Sequence, residues 1–423
     1  MHTNKIEGGC YSHPLILCYM VHTFTLSNGL QVLHLPDTGN VAYVGMYIGA
    51  GTRDEQPNQH GYAHLTEHML FKGTHKRSAG QIINRLEAVG GELNAYTTKE
   101  ETVVYAVSLQ RDLSRAVELV ADVALNMHLT PQNLQKECEV VMDEIDSYLD
   151  SPAESIIDDF EDAVFLGYSL GRNILGSKQS LQEVTVDSLQ AFYNHAYTPN
   201  NLLFFVMGNV SPKQVENWAN KYLGHYTGVC NLQRTAPTQY TPCQLVVEKQ
   251  TSQAHCLIGG RGPSAFSADK YAFTLLNNIL GGPATNSRLN MSLREKHALV
   301  YQVESQHTPY SDTGIWSVYL GTDHRDLNKA IALVHRQLQD LQEKPLSPQS
   351  LQKAKRQLLA QQLIAIENKE AWVLSVAKNY FLHKKVPVVA QMEEQINAIT
   401  AQQLMQVAQH YFAAKNLSQL VFR

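Results

Sequence analysis

The second half of this 423-residue chain repeats the first. Residues 111–120 recur as 325–334, both opening Arg-Asp-Leu, and 129–136 recur as 346–353, where Leu-Thr-Pro-Gln becomes Leu-Ser-Pro-Gln. The displacements are 214 and 217 residues, about half the chain. A repeat of that length means two copies of one domain, each burying its own core. Local signals give the content of a copy. Thr23 to Leu35 reads as a hairpin, because Asn28-Gly29 stands between alternating apolar residues. Val41 to Ile48 reads as a third strand, residues 93–109 as two more, and Leu202 to Met207 as an apolar strand ending in Gly208. Ser78 starts a helix that Gly90-Gly91 stops, and helical runs follow near 111–127, 131–150 and 152–165. The expected fold is α+β: two homologous α/β domains, each a mostly antiparallel sheet packed against helices. Residues 225–240 are polar and aperiodic, with Pro237, and read as a linker between domains at 21–224 and 241–423.

Composition narrows the setting. A net charge of −5 with no basic stripe argues against a nucleic-acid partner. No apolar run approaches the ~18 residues of a membrane span. Six scattered cysteines (Cys10, Cys18, Cys138, Cys230, Cys243, Cys256) form no CxxC pair and no dense framework, which fits reduced thiols in a bacterial cytoplasm. Residues 1–20 lack arginine, and their short apolar run is followed by no small-residue cleavage site, so they read as a disordered or variable leader.

The chemistry is concentrated in His64-Leu65-Thr66-Glu67-His68. Two histidines four apart on a helix lie one turn apart and can reach one ion, with Glu67 close by without having to ligate it. His-x-x-Glu-His is the inverzincin pattern. A catalytic zinc site needs a third protein ligand and an open position. The acidic helical run around Glu137 and Glu144 offers two candidates, seven residues apart on one helix face. Either could ligate while the other orients a histidine.

The repeat provides an internal control. With Tyr62-Ala63 aligned to Tyr271-Ala272, His64, Glu67 and His68 map to Phe273, Leu276 and Asn277. With the displacement of 217, Glu137 and Glu144 map to Ala354 and Gln361. The second copy keeps the pattern of the fold and lacks every candidate metal group, so one zinc per chain is expected, in the first copy.

These stretches resemble the pitrilysin/insulinase family of zinc peptidases, in its processing-peptidase-like branch. The matching runs are residues 64–74, Gly90-Gly91-Glu92-Leu93-Asn94-Ala95-Tyr96-Thr97, the acidic helix, and Gly171-Arg172-Asn173-Ile174-Leu175-Gly176. The resemblance places the third ligand on Glu144, 76 residues after His68, and gives Glu137 a supporting role. It implies a zinc metalloendopeptidase that hydrolyses unfolded peptides or presequence-like segments with zinc-activated water and Glu67 as general base. Residues Asn94, Ala95 and Tyr96 would pair with extended peptide substrate at a strand edge. Arg294 and Tyr301 match an Arg–Tyr pair that grips substrate carbonyls and the oxyanion, although His297-Ala298 replaces the family's usual Arg-Gly between them. Longer members close four such domains into a chamber. A two-domain chain would complete it as a homodimer, or as a heterodimer with an inactive homologue. The alternative function is a non-catalytic or partner-dependent subunit of such a heterodimer.

Overall fold

The computed structural model describes residues 21–423, so the leader expected at 1–20 lies outside the described residues. The chain forms two compact units. In the first, strands β1 (His22–Thr25), β2 (Gln31–Pro36), β3 (Val41–Ile48), β4 (Glu92–Thr97), β5 (Thr102–Leu109) and β6 (Leu202–Gly208) form one sheet in the order β1-β2-β6-β3-β5-β4. Only the β2–β6 pairing is parallel. The β1–β2 hairpin closes through Gly29 at φ 92°, with Leu26 N donating to Leu30 O at 2.9 Å.

β6 explains the architecture. All seven of its residues are buried. Leu202, Phe204 and Val206 face one core, while Leu203, Phe205 and Met207 face another, as the two-residue period of a strand requires. A sheet that is apolar on both sides must be covered on both sides. The first side carries helices that include Tyr62–Leu70 and Leu113–Leu125. The second side is covered by helix Lys369–His383, through Val373, Val376 and Ala377. Room there depends on Gly45 of β3, since a Cβ on it would stand 2.1 Å from the Phe205 ring.

The second unit has β7 (Gln244–Val247), β8 (Ala254–Gly262), β9 (Val300–Pro309), β10 (Gly314–Thr322) and β11 (Ser418–Phe422), in the order β7-β11-β8-β10-β9. Again one pairing, β7–β11, is parallel. One face packs Cys256, Ile258, Trp316, Val318 and Val421 against helices that include Lys270–Gly281 and Leu327–Glu343. The other face packs Leu257, Ile315, Tyr319, Leu420 and Phe422 against Ile156, Phe160 and Val164 of helix Pro152–Val164.

The two units therefore differ from contiguous halves joined at 225–240. The passage from Arg234 to Thr235 does fall within that stretch, but two segments are exchanged. Asp146–Arg172, from the first half of the sequence, belongs to the second unit. Ile366–Val388, from the second half, belongs to the first. The reason is the same on both sides: each sheet has a second apolar face, and the helix that covers it comes from the other half of the chain. The repeat itself is visible in the paired 19-residue helices Pro131–Leu149 and Pro348–Ile366.

Candidate metal centre

The motif helix Tyr62–Leu70 is held at its start by three separate devices. Gly61 is left-handed at φ 91° and meets Gly176, itself at φ 81°, so closely that a Cβ on Gly61 would lie 2.8 Å from the Gly176 Cα. Only glycine takes both that conformation and that approach cheaply. The run 173–176 thus buttresses the helix, and His60 Nε2 lies 3.0 Å from Asn173 O. The third device is Glu55. Its carboxylate accepts from Gly61 N at 3.0 Å and from Ala63 N at 2.8 Å, satisfying two donors that a helix start leaves open. The sequence shows no periodic or motif signal for Glu55, and its role depends on a loop folding back over the helix end. Glu55→Ala strands two buried N–H groups. The expected cost is about 2–3 kcal/mol of stability, read as a lower thermal midpoint. An unchanged midpoint would remove Glu55 from the cap.

Leu65 and Met69 of the motif helix fill the core, which turns His64 and His68 toward helix Pro131–Leu149. That helix buries Leu134, Cys138, Val141 and Ile145 and carries Glu137 and Glu144 on a neighbouring stripe. His64 Nε2 lies 3.9 Å and His68 Nε2 3.7 Å from Glu144 Oε2. All three ligand atoms fall within 4.8 Å of one another, the spacing of groups that can share an ion. Glu137 goes elsewhere: its Oε2 lies 3.2 Å from His68 Nδ1, and its Oε1 accepts from Lys72 Nζ at 2.8 Å.

The donor set fits zinc. A carboxylate on Nδ1 of His68 keeps the proton there and leaves the Nε2 lone pair toward Glu144. Burial, and secondarily the neighbouring His68, push the His64 imidazole down to about 4, so it is neutral and able to ligate at neutral pH. Glu144 is half-exposed, with 44% of its side-chain surface open, which leaves one side of the group accessible.

Glu67 lies on the same helix. Burial pushes its carboxyl above the usual range, while the Thr97 hydroxyl, donating to Oε2 at 2.6 Å, and His68 pull it back. Asn94, Ala95 and Tyr96 lie on β4, the edge strand nearest the motif helix; among the described residues β4 pairs only with β5. Arg294 and Tyr301 belong to the second unit. Arg294 sits in the helical turn Asn290–Lys296, and Tyr301 is the second residue of β9, exposed, its hydroxyl donating to Asp323 Oδ1 at 3.0 Å. Sequence reasoning missed Lys72, Glu55 and Thr97, since none of them stands in a spacing that implies a partner.

Known proteins resemble this chain in sequence and in fold. Residues 31–178 match the family model "Insulinase (Peptidase family M16)", and residues 183–358 match "Peptidase M16 inactive domain". A Bacillus subtilis protein named uncharacterized zinc protease YmxG is 31% identical over 400 residues, covering 93% of this chain and 96% of that protein. A Rickettsia bellii protein named uncharacterized zinc protease is 28% identical over 403 residues, covering 94% of this chain and 96% of its own length. Two solved structures share the fold. One is a protease from Helicobacter pylori, with a TM-score of 0.87, 22% identity and coverage of 96% of this chain and all of that one. The other is a peptidase M16 inactive domain from Pseudomonas fluorescens, with a TM-score of 0.88, 20% identity and coverage of 95% and 97%. With an insulinase-family match over the part that carries His64, His68 and Glu144 and a relative 31% identical along nearly its whole length, the chain belongs to peptidase family M16.

Proposed function

We propose that the chain is a zinc metalloendopeptidase of unfolded peptides or presequence-like segments. One observation carries the reading: His64, His68 and Glu144 bring one ligand atom each within 4.8 Å of the others. The names of the relatives, which call them zinc proteases, agree with it. His64, His68 and Glu144 would hold the ion, and Glu137, clamped by Lys72, would fix the ring of His68. Bound there, zinc supplies Lewis acidity and a nucleophilic water at neutral pH. Glu67 takes the proton and passes it to the leaving amine. The outer edge of β4, at Asn94, Ala95 and Tyr96, which no strand among the described residues pairs, binds an extended peptide through main-chain hydrogen bonds, which asks little of the peptide's sequence. Arg294 and Tyr301 hold substrate carbonyls and the developing oxyanion, and a dimer, most simply of two copies of this chain, completes the chamber. No helix among the described residues is long and apolar enough to cross a membrane.

Metal analysis and a mixed peptide library test this together. The purified protein is expected to carry one zinc per chain. Cleavage should cease on chelation and return with added zinc. Glu144→Gln should lose zinc affinity by more than the roughly 10–100-fold typical of removing an outer partner. Two tightly held zincs, zinc kept at full affinity by Glu144→Gln, or cleavage indifferent to chelator would each end the assignment.

A further inference from the structure

Strand β4 connects to the general base through a residue that the motif does not contain. Along β4, Leu93 and Ala95 pack into the core that holds the motif helix, while Tyr96 packs into the core on the opposite face of the sheet. By the same alternation Thr97 belongs on the motif-helix side. Its Oγ1 lies 2.6 Å from Glu67 Oε2, within the range of a hydroxyl donating to a carboxylate. The direction of that bond follows from the neighbours. A carboxylate oxygen can only accept, and the other candidate acceptor, Thr102 Oγ1, is farther away at 3.4 Å with its own proton on Ala50 O at 3.0 Å, so the Thr97 proton goes to Glu67.

The support beneath Thr97 is stiff. Thr52 N donates to Thr98 O at 3.2 Å and Arg53 N to Lys99 O at 2.7 Å. The Arg53 guanidinium bonds Glu100 at 2.5 Å. Arg234 reaches the Glu100 carbonyl at 2.9 Å and grips Asp54 with two bonds of 2.8 Å. These groups are largely buried, so the turn after β4 does not swing independently of the sheet.

We propose that Thr97 is a positioning residue for peptide hydrolysis: its hydroxyl holds Glu67 Oε2, fixes the carboxylate plane and leaves Oε1 to take the proton. The same residue ends the strand on which the peptide pairs, so the base is registered against the strand that carries the substrate. This rests on the proposed function, since it requires Glu67 to be the base. A threonine that served only strand propensity and packing would be replaced without loss by valine, which has nearly the same shape and no hydroxyl.

The test compares Thr97→Val, Thr97→Ser, Glu67→Gln and the double variant Glu67→Gln/Thr97→Val in the zinc-loaded full chain, with a quenched fluorescent peptide as substrate. Thr97→Val is expected to keep its zinc content and thermal midpoint and to lose kcat about 10–100-fold. KM should stay within about twofold, because the hydroxyl acts on the base and not on ground-state binding. Thr97→Ser restores the donor and should return kcat to within about threefold of the parent. In the Glu67→Gln background, Thr97→Val should add nothing, since the two residues act as one unit. Near-parental kcat in Thr97→Val overturns the inference. So does a loss that Thr97→Ser does not repair, a loss confined to KM, or a loss of zinc. If Glu67→Gln is itself active, the base assignment falls and takes this inference with it. That pattern differs from an inactive Glu67→Gln beside an active Thr97→Val, which overturns the role of Thr97 alone.

Discussion

Glu67→Gln is expected to leave zinc bound and peptide binding intact while turnover falls about 10²–10⁴-fold, the range of a positioned general base. Glutamine matches glutamate in shape, and its amide oxygen can still accept from Thr97, so the helix keeps its packing. The residue also stands outside the converging group of His64, His68 and Glu144, so no ligand is removed. What disappears is the ability to take a proton. Zinc content per chain, peptide affinity and single-turnover rate, measured on one preparation, separate these quantities. A variant with unchanged zinc and near-parental turnover would show that Glu67 is not the base. A variant that loses zinc would show instead that Glu67 holds the metal site together.

The second large effect concerns which chain completes the site. By the resemblance to four-domain members, Arg294 and Tyr301 would serve a zinc site on a partner chain. Tyr301 is exposed on its own unit and bonded to Asp323, itself on the surface. On that proposal Tyr301→Phe would remove one oxyanion donor, a change expected to be worth roughly 10²–10³ in rate. Mixing Glu67→Gln protein with Tyr301→Phe protein then gives a positive result to look for. After subunit exchange, mixed dimers hold one site with both Glu67 and Tyr301 intact, so activity should rise well above that of either variant alone. Exchange is verified with two differently tagged chains. If exchange occurs and the mixture is no more active than its components, the site is completed within one chain or Tyr301 takes no part in it.

The sequence by itself determined whatever depends on neighbours along the chain. The Asn28-Gly29 turn, the strand at Val41–Ile48, the helix that opens at Ser78 and the helix that begins at Pro131 are all set by spacings of fewer than about 20 residues, where period and capping dominate. The halved length and the loss of every candidate metal group in the second copy were legible too, because a repeat compares the chain with itself.

Tertiary structure decided what depends on surfaces brought together from afar. Glu137 and Glu144 are two helical turns apart and share a face, so periodicity ranks neither above the other. The docking of helix Pro131–Leu149 against the motif helix points Glu144 at the Nε2 atoms of both histidines and Glu137 at His68 Nδ1 and Lys72. Glu55 caps the motif helix only because a loop folds back over the helix start, and Thr97 reaches Glu67 only because β4 lies beside that helix. Helix Pro152–Val164 announces itself by its apolar stripe, yet it covers the sheet of the opposite half, as helix Lys369–His383 does in return. An apolar stripe fixes how much surface a helix must bury but is non-directional about where. The second apolar face of each sheet supplies that choice, and its strands come from parts of the chain that no local pattern connects.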